Sequence, residues 1–149
     1  MDGLSAAASV IAVIQITQSV RLFLRGLYRD IRDARTEIER LYDSVVSLEI
    51  IAKGLDDLLK RQGVEMMNKS LLEDQQGPLK KALSEVKAVK EKLDVQVVNS
   101  RFKKMALSVK DSVKRSLKWP FNKEEVLDIV ARLDNHRSNL LLDVDINTL

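Results

Sequence analysis

His136 is the only histidine in the chain and there is no cysteine, so the commonest general base, the thiolate nucleophile and most zinc ligands are scarce or missing. On a helix, His136 falls in the apolar stripe Ile129, Leu133, His136 and Leu140, where a histidine reads as a half-buried packing residue. Catalysis needs a positioned set of partners. No serine sits on a glycine-flanked turn that could present a nucleophile. Neither a Walker A loop nor a G-x-G-x-x-G turn is present to cradle phosphate. Asp143 and Asp145 are too few to hold a metal by themselves. The sequence therefore predicts no enzyme, no catalytic or metal-binding residue, no cofactor and no small-molecule substrate.

Two other features concern charge rather than reactivity. Between Lys80 and Lys118 stand twelve Lys or Arg against four Asp or Glu, a local balance of +8. On a helix covering the second half of this segment, Phe102, Met105, Ala106, Val109, Val113 and Leu117 share one arc. Lys103, Lys104, Lys110, Lys114, Arg115 and Lys118 lie opposite, with Leu107 the exception and Asp111 diluting the charge. Such a face attracts anionic headgroups at about 1 kcal/mol per basic residue close to the surface. These six residues are the candidates for lipid-headgroup contact. A solvated outer face of an ordinary core helix fits the same pattern. Nucleic acid is the weakest reading, since no aromatic interleaving or groove-reading module accompanies the charge.

The second feature is an absence. Gly3 to Val20 comprises eighteen residues without a charge, closed by Arg21 and Arg25. As a helix it is about 27 Å long, slightly short of a bilayer's hydrocarbon core. Ser5, Ser9, Ala12, Gln15 and Ser19 share a stripe interrupted by Ile16, while Leu4, Val10, Ile11, Val13, Ile14 and Val20 spread around the rest. The central helix of a bundle has this character, and so does a helix able to enter a membrane. Its six polar residues make a poor permanent span, but none is charged, so insertion costs far less than for Lys or Asp. The candidate insertion residues are Leu4, Val10, Ile11, Val13, Ile14, Ile16 and Val20.

Elements that would position these residues follow from the spacing. Five glycines and two prolines in 149 residues are too few for the turns of an all-β fold. With 45% apolar and 32% charged residues, the chain is expected to form one all-α domain over 1–149, a bundle of four to five helices with a largely buried N-terminal helix. The first helix is predicted from about Leu4 to Tyr28. A second runs from near Asp30 to Arg61, with Ile31, Ala34, Ile38, Leu41, Val45, Leu48, Ala52, Leu55 and Leu59 on one heptad seam. That seam suits packing within the chain or between chains. Gln62 to Gly77 reads as the main loop. Pro78 opens a third helix with Leu79, Leu83, Val86, Val89 or Lys90, and Leu93 inward. Asn99-Ser100 suggests a break before a fourth helix reaching Trp119. Asn122 with Glu125 caps a fifth helix, which turns Val126, Ile129, Val130, Leu133 and Leu140 inward. Asp2 stands where a secretory signal would carry a positive charge, so the protein is expected in the cytoplasm.

The opening Met1-Asp2-Gly3-Leu4-Ser5-Ala6-Ala7-Ala8-Ser9-Val10-Ile11-Ala12-Val13-Ile14-Gln15 resembles the start of fungal HeLo-like domains. These precede nucleotide-binding STAND or NACHT modules in fungal NOD-like receptors. Leu117-Lys118-Trp119-Pro120-Phe121, with Glu124, Glu125, Val126, Ile129, Leu133 and Leu140-Leu141-Leu142, is similar to that family's final helix. The resemblance implies a bundle related to HeLo domains and to the four-helix death domain of mixed-lineage kinase-like pseudokinases. It implies a role in regulated cell death and heterokaryon incompatibility. On activation the domain would self-associate, move to the plasma membrane and permeabilise it through the segment Leu4 to Val20. Implied partners are anionic membrane lipids, further copies of the domain, and an upstream receptor or a nucleotide-binding module in the same chain. A non-lytic adaptor that only assembles with itself or a receptor is the competing expectation.

Overall fold

A computed structural model describes the backbone of residues 2–62, 77–106 and 119–148. Among these residues there are four helices and no strand: α1 (Asp2–Asp30), α2 (Arg35–Gln62), α3 (Pro78–Ala106) and α4 (Lys123–Thr148). α1 packs on α2 and α3, and α4 packs on the same two, so the four helices surround one core. The spatial order around the bundle is α1, α2, α4, α3.

The heptad spacing of α2 explains why it is the spine. Ile38, Leu41, Val45, Leu48, Ala52 and Leu55 are all buried, and Leu59 packs against the core at its rim. The seam is therefore filled from within the chain. Ile31 and Ala34 belong to the same apolar line but lie in the connection before α2. The Ile31 N–H donates to the Leu27 carbonyl at 2.7 Å, extending the ladder of α1, while the Ala34 carbonyl accepts from the Ile38 N–H at 2.9 Å and opens α2. Both side chains are buried, because the turn itself closes the end of the core.

α3 begins as its sequence dictates: the Lys81 N–H donates to the Gly77 carbonyl at 3.1 Å, leaving Pro78 where its missing N–H costs nothing. Leu79, Ala82, Val86, Val89 and Leu93 are buried and Leu83 is half-buried against them. Val89, not Lys90, is the inward residue at that turn, and Lys90 pairs with Asp94 at 3.2 Å. The expected break at Asn99-Ser100 is not there. α3 continues through it to Ala106, since Asn and Ser cost only a few tenths of a kcal/mol each in a helix and neither removes a backbone donor. The separate helix expected between Ser100 and Trp119 thus loses its first turns to α3, and its remainder, 107–118, lies outside the described residues. So does the loop 63–76.

α4 starts with a reciprocal cap. The Glu125 N–H donates to Asn122 Oδ1 at 2.7 Å, and the Asn122 N–H donates to Glu125 Oε1 at 3.2 Å. Val126, Ile129, Leu133 and Leu140 are buried beneath it. Two ion pairs set α4 antiparallel to α3: Lys92 with Glu125, and Arg132 Nε with Glu85 Oε1 at 2.7 Å.

Candidate functional site

The uncharged run folds as most of α1, and packing divides its circumference. Val10, Val13, Thr17, Val20, Leu24 and Leu27 are buried, at 0 to 4% exposure. Ile14, Ile16 and Phe23 are half-buried on the flanks. Ala8, Ile11, Gln15, Ser19 and Leu22 face solvent, with Ile11 45% and Leu22 60% exposed. Solvent thus meets a line of side chains from Ala8 to Leu22 that carries no charge and has two large aliphatic side chains standing out, with the partly exposed Arg21 on its flank. The candidate insertion residues consequently play different parts: Val10, Val13 and Val20 hold the core, Ile14 and Ile16 seal its edge, and Ile11 is presented outward. Leu4 lies on the helix, with its side chain outside the described ones.

The polar stripe read from the sequence does not coincide with the wet face. Ser9 is buried while Gln15 and Ser19 are exposed, because the stripe straddles the edge of the packed surface instead of opposing it. Leu22 was the residue to find: it lies one turn from Ser19 and just beyond the run's charged end. The buried Thr17 hydroxyl donates back within its own helix, its Oγ1 lying 2.8 Å from the Val13 carbonyl and 2.9 Å from that of Ile14.

Among the described residues α1 alone contains a stretch, Ala7–Asp30, long and apolar enough by length and composition to cross a membrane. A core helix of a soluble bundle meets the same criterion, so the outward face is the more informative observation. Of the candidate headgroup contacts, Lys103 and Lys104 occupy the last turn of α3, with side chains outside the described ones. Lys110, Lys114, Arg115 and Lys118 lie outside the described residues altogether.

Two features at the α1–α2 seam have no local signature in the sequence. Arg21 Nε lies 3.0 Å from Glu49 Oε2, and the Glu49 side chain is only 5% exposed. Lys53 approaches the other carboxylate oxygen at 3.7 Å. Neither Arg21 Nε nor Glu49 Oε1 makes a well-directed hydrogen bond, so this is a charge contact with poor angular geometry. One turn further along, a cleft of about 440 Å³ opens between the helices, lined by Leu24, Arg25, Tyr28, Ile38, Glu39, Tyr42 and Asp43. Arg35 stacks over the Tyr28 ring at 5.1 Å.

His136 is buried, deeper than the half-buried position expected from its stripe. Burial lowers its pKa below the ordinary imidazole value; Glu85 opposes that shift, whereas Lys81 and Arg132 add to it. No known family model matches this chain, and neither a curated protein nor a solved structure does.

Proposed function

We propose that the bundle is a membrane-targeting effector domain of regulated cell death, which self-associates and passes α1 into the bilayer. The observation that carries this reading is the outward face of α1. A helix serving only as a core element gains solubility from charge on its wet side, as α2 does with Glu39, Arg40, Asp43 and Asp57. α1 instead exposes Ile11 and Leu22 with uncharged Gln15 and Ser19 between them and Ala8 one turn before. Such a helix forfeits little when lipid replaces water on that side. The basic residues Lys103, Lys104, Lys110, Lys114, Arg115 and Lys118 would hold the domain near anionic lipid from the cytoplasmic side. The cell-death role itself rests on the HeLo-like resemblance.

Dye release from vesicles containing phosphatidylglycerol tests the proposal under conditions where the chain oligomerises. Leakage is the expected result. Oligomers that leave the vesicles sealed would instead support the adaptor reading, in which Ala8 and the half-buried Ala12 let a second helix approach closely. Reversing Lys103, Lys110 and Lys114 to Glu should cut vesicle binding by at least about tenfold, from roughly 1 kcal/mol per residue. Unchanged binding removes the basic segment from the mechanism.

A further inference from the structure

α2 carries a second 3-4 spacing on the side turned away from the core. Asp43, Ser47, Ile50, Gly54, Asp57 and Arg61 follow one another at intervals of four, three, four, three and four residues. They therefore form one line along about 27 Å of helix. The line is open: Asp43, Gly54, Asp57 and Arg61 are exposed, and Ser47 is half-buried. Ile50, at its middle, is 64% exposed, an aliphatic side chain standing in water on an otherwise charged face. One turn on, Gly54 leaves a gap, with no atom within 4 Å of where a Cβ would stand. Asp43, Asp57 and Arg61 enter no ion pair among the described residues, although Lys53 and Lys60 on the same helix do.

We propose that this line is a contact between two copies of the chain, their α2 helices packed antiparallel about a twofold axis level with Ala52. In that register Ile50 of each copy fills the gap over Gly54 of the other, Asp43 meets Arg61, and Ser47 faces Asp57. Each of these layers occurs twice, as twofold symmetry requires. An isologous contact needs a knob and a hole on the same surface, and here they stand one turn apart. Charge fixes the direction. Parallel packing in register would set Asp43, Asp57 and Arg61 each against its own copy, giving three like-charge layers. The antiparallel register has no like-charge layer and makes partners of Asp43 and Arg61. All six residues belong to one helix, so their spacing holds whether or not α1 stays packed on it.

A single line of helix contacts buries less than the roughly 800 Å² per partner of a standard interface. The dimer is accordingly weak, with a dissociation constant of about 10–100 µM. Its role as the first step of self-association rests on the function proposed above; the contact itself does not.

Sedimentation equilibrium of the full chain tests the contact and should show a monomer–dimer transition in that range. Ile50→Ser and Gly54→Leu should each weaken the dimer by at least about tenfold, since each change acts twice per dimer. Both positions are exposed and leucine is a better helix former than glycine, so circular dichroism should show both variants folded. Asp43→Arg and Arg61→Asp each set like charges together and should each weaken the dimer about tenfold. Mixed in equal amounts, those two variants should recover wild-type association, because the charges facing one another between them are then opposite in sign. A chain that is monomeric at about 1 mM overturns the proposal and leaves the face to a different protein. A dimer that Gly54→Leu leaves intact overturns it too, as do charge variants whose mixture pairs no better than either alone. Dye release is read separately. Dimers that leave vesicles sealed sink the permeabilising function and keep the contact, whereas a chain that leaks vesicles yet sediments as a monomer sinks the contact alone.

Discussion

The Arg21–Glu49 contact is asymmetric in its surroundings, which makes its two halves unequal. Glu49 is nearly sealed, whereas Arg21 keeps 26% of its side chain in solvent. Removing the arginine leaves a buried carboxylate with only Lys53 at 3.7 Å for company; removing the carboxylate leaves a guanidinium that can turn to water. Arg21→Met is therefore expected to lower stability by about 2 kcal/mol, and Glu49→Met by less than about 1 kcal/mol. Urea midpoints of the two variants check the order. His136 gives a second residue-scale prediction. Its pKa is lowered in the folded chain, mainly by burial, so the unfolded chain takes up the proton first as pH falls. The stability linked to His136 is whole above its unfolded value of about 6.5 and is lost below it. Thermal melts between pH 7.5 and 5.5 should show a falling midpoint that His136→Leu flattens.

At the scale of the helix, α1 has two sets of aliphatic residues with opposite duties. Leu24→Ala opens a cavity in the core and should cost about 2–5 kcal/mol. Ile11→Ser with Leu22→Ser alters only the outward face, should change stability by less than about 1 kcal/mol in total, and should reduce dye release several-fold. An unchanged leak in a folded double variant would separate that face from membrane entry. Gly54 offers a gain: it lies exposed inside α2 with no atom within 4 Å of where a Cβ would stand. Gly54→Ala should raise stability by about 0.5–1 kcal/mol in chemical unfolding. Periodicity made α2 and its inward residues readable beforehand, because a 3-4 repeat over so many turns leaves one face to bury. Asn99-Ser100 misled for a physical reason: weak helix formers lower the odds of a helix but do not end one, as a proline or a left-handed glycine does. Ser9 shares a stripe with Gln15 and Ser19 yet is buried while they are exposed, because a wheel shows which residues share an angle, and only the neighbours decide which angle is wet.

For the whole molecule, the legible part was the fold class and the caps, which depend on contacts a few residues apart. The Asn122–Glu125 cap is a three-residue relation and could be read directly. The Arg21–Glu49 contact, and the cleft lined by Arg25, Glu39 and Asp43, bring together residues on separate helices whose rotation and register are set by the entire core. Nothing in their spacing announces them. The same holds for the outward turn of Ile11 and Leu22. The basic balance between Lys80 and Lys118 belongs to this scale too, since its pull on a surface is a sum over residues and weakens with salt. Vesicle binding should accordingly fall as ionic strength rises from 0.05 to 0.5 M (about one decade in concentration).

Thr17 is the most deeply packed polar residue among the described side chains of α1, and its hydroxyl is spent on the carbonyls of Val13 and Ile14 in the preceding turn. That bond is portable. Wherever the helix goes, the donor and both acceptors go together, so lifting α1 away from its neighbours leaves no Thr17 hydrogen bond behind on another helix. A synthetic helix of residues 2–30 should accordingly fold in detergent micelles as readily as its Thr17→Val counterpart, with matching helicity by circular dichroism. A hydroxyl that depended on another helix for its partner would have tethered α1 to water-soluble company; this one lets the helix change surroundings intact.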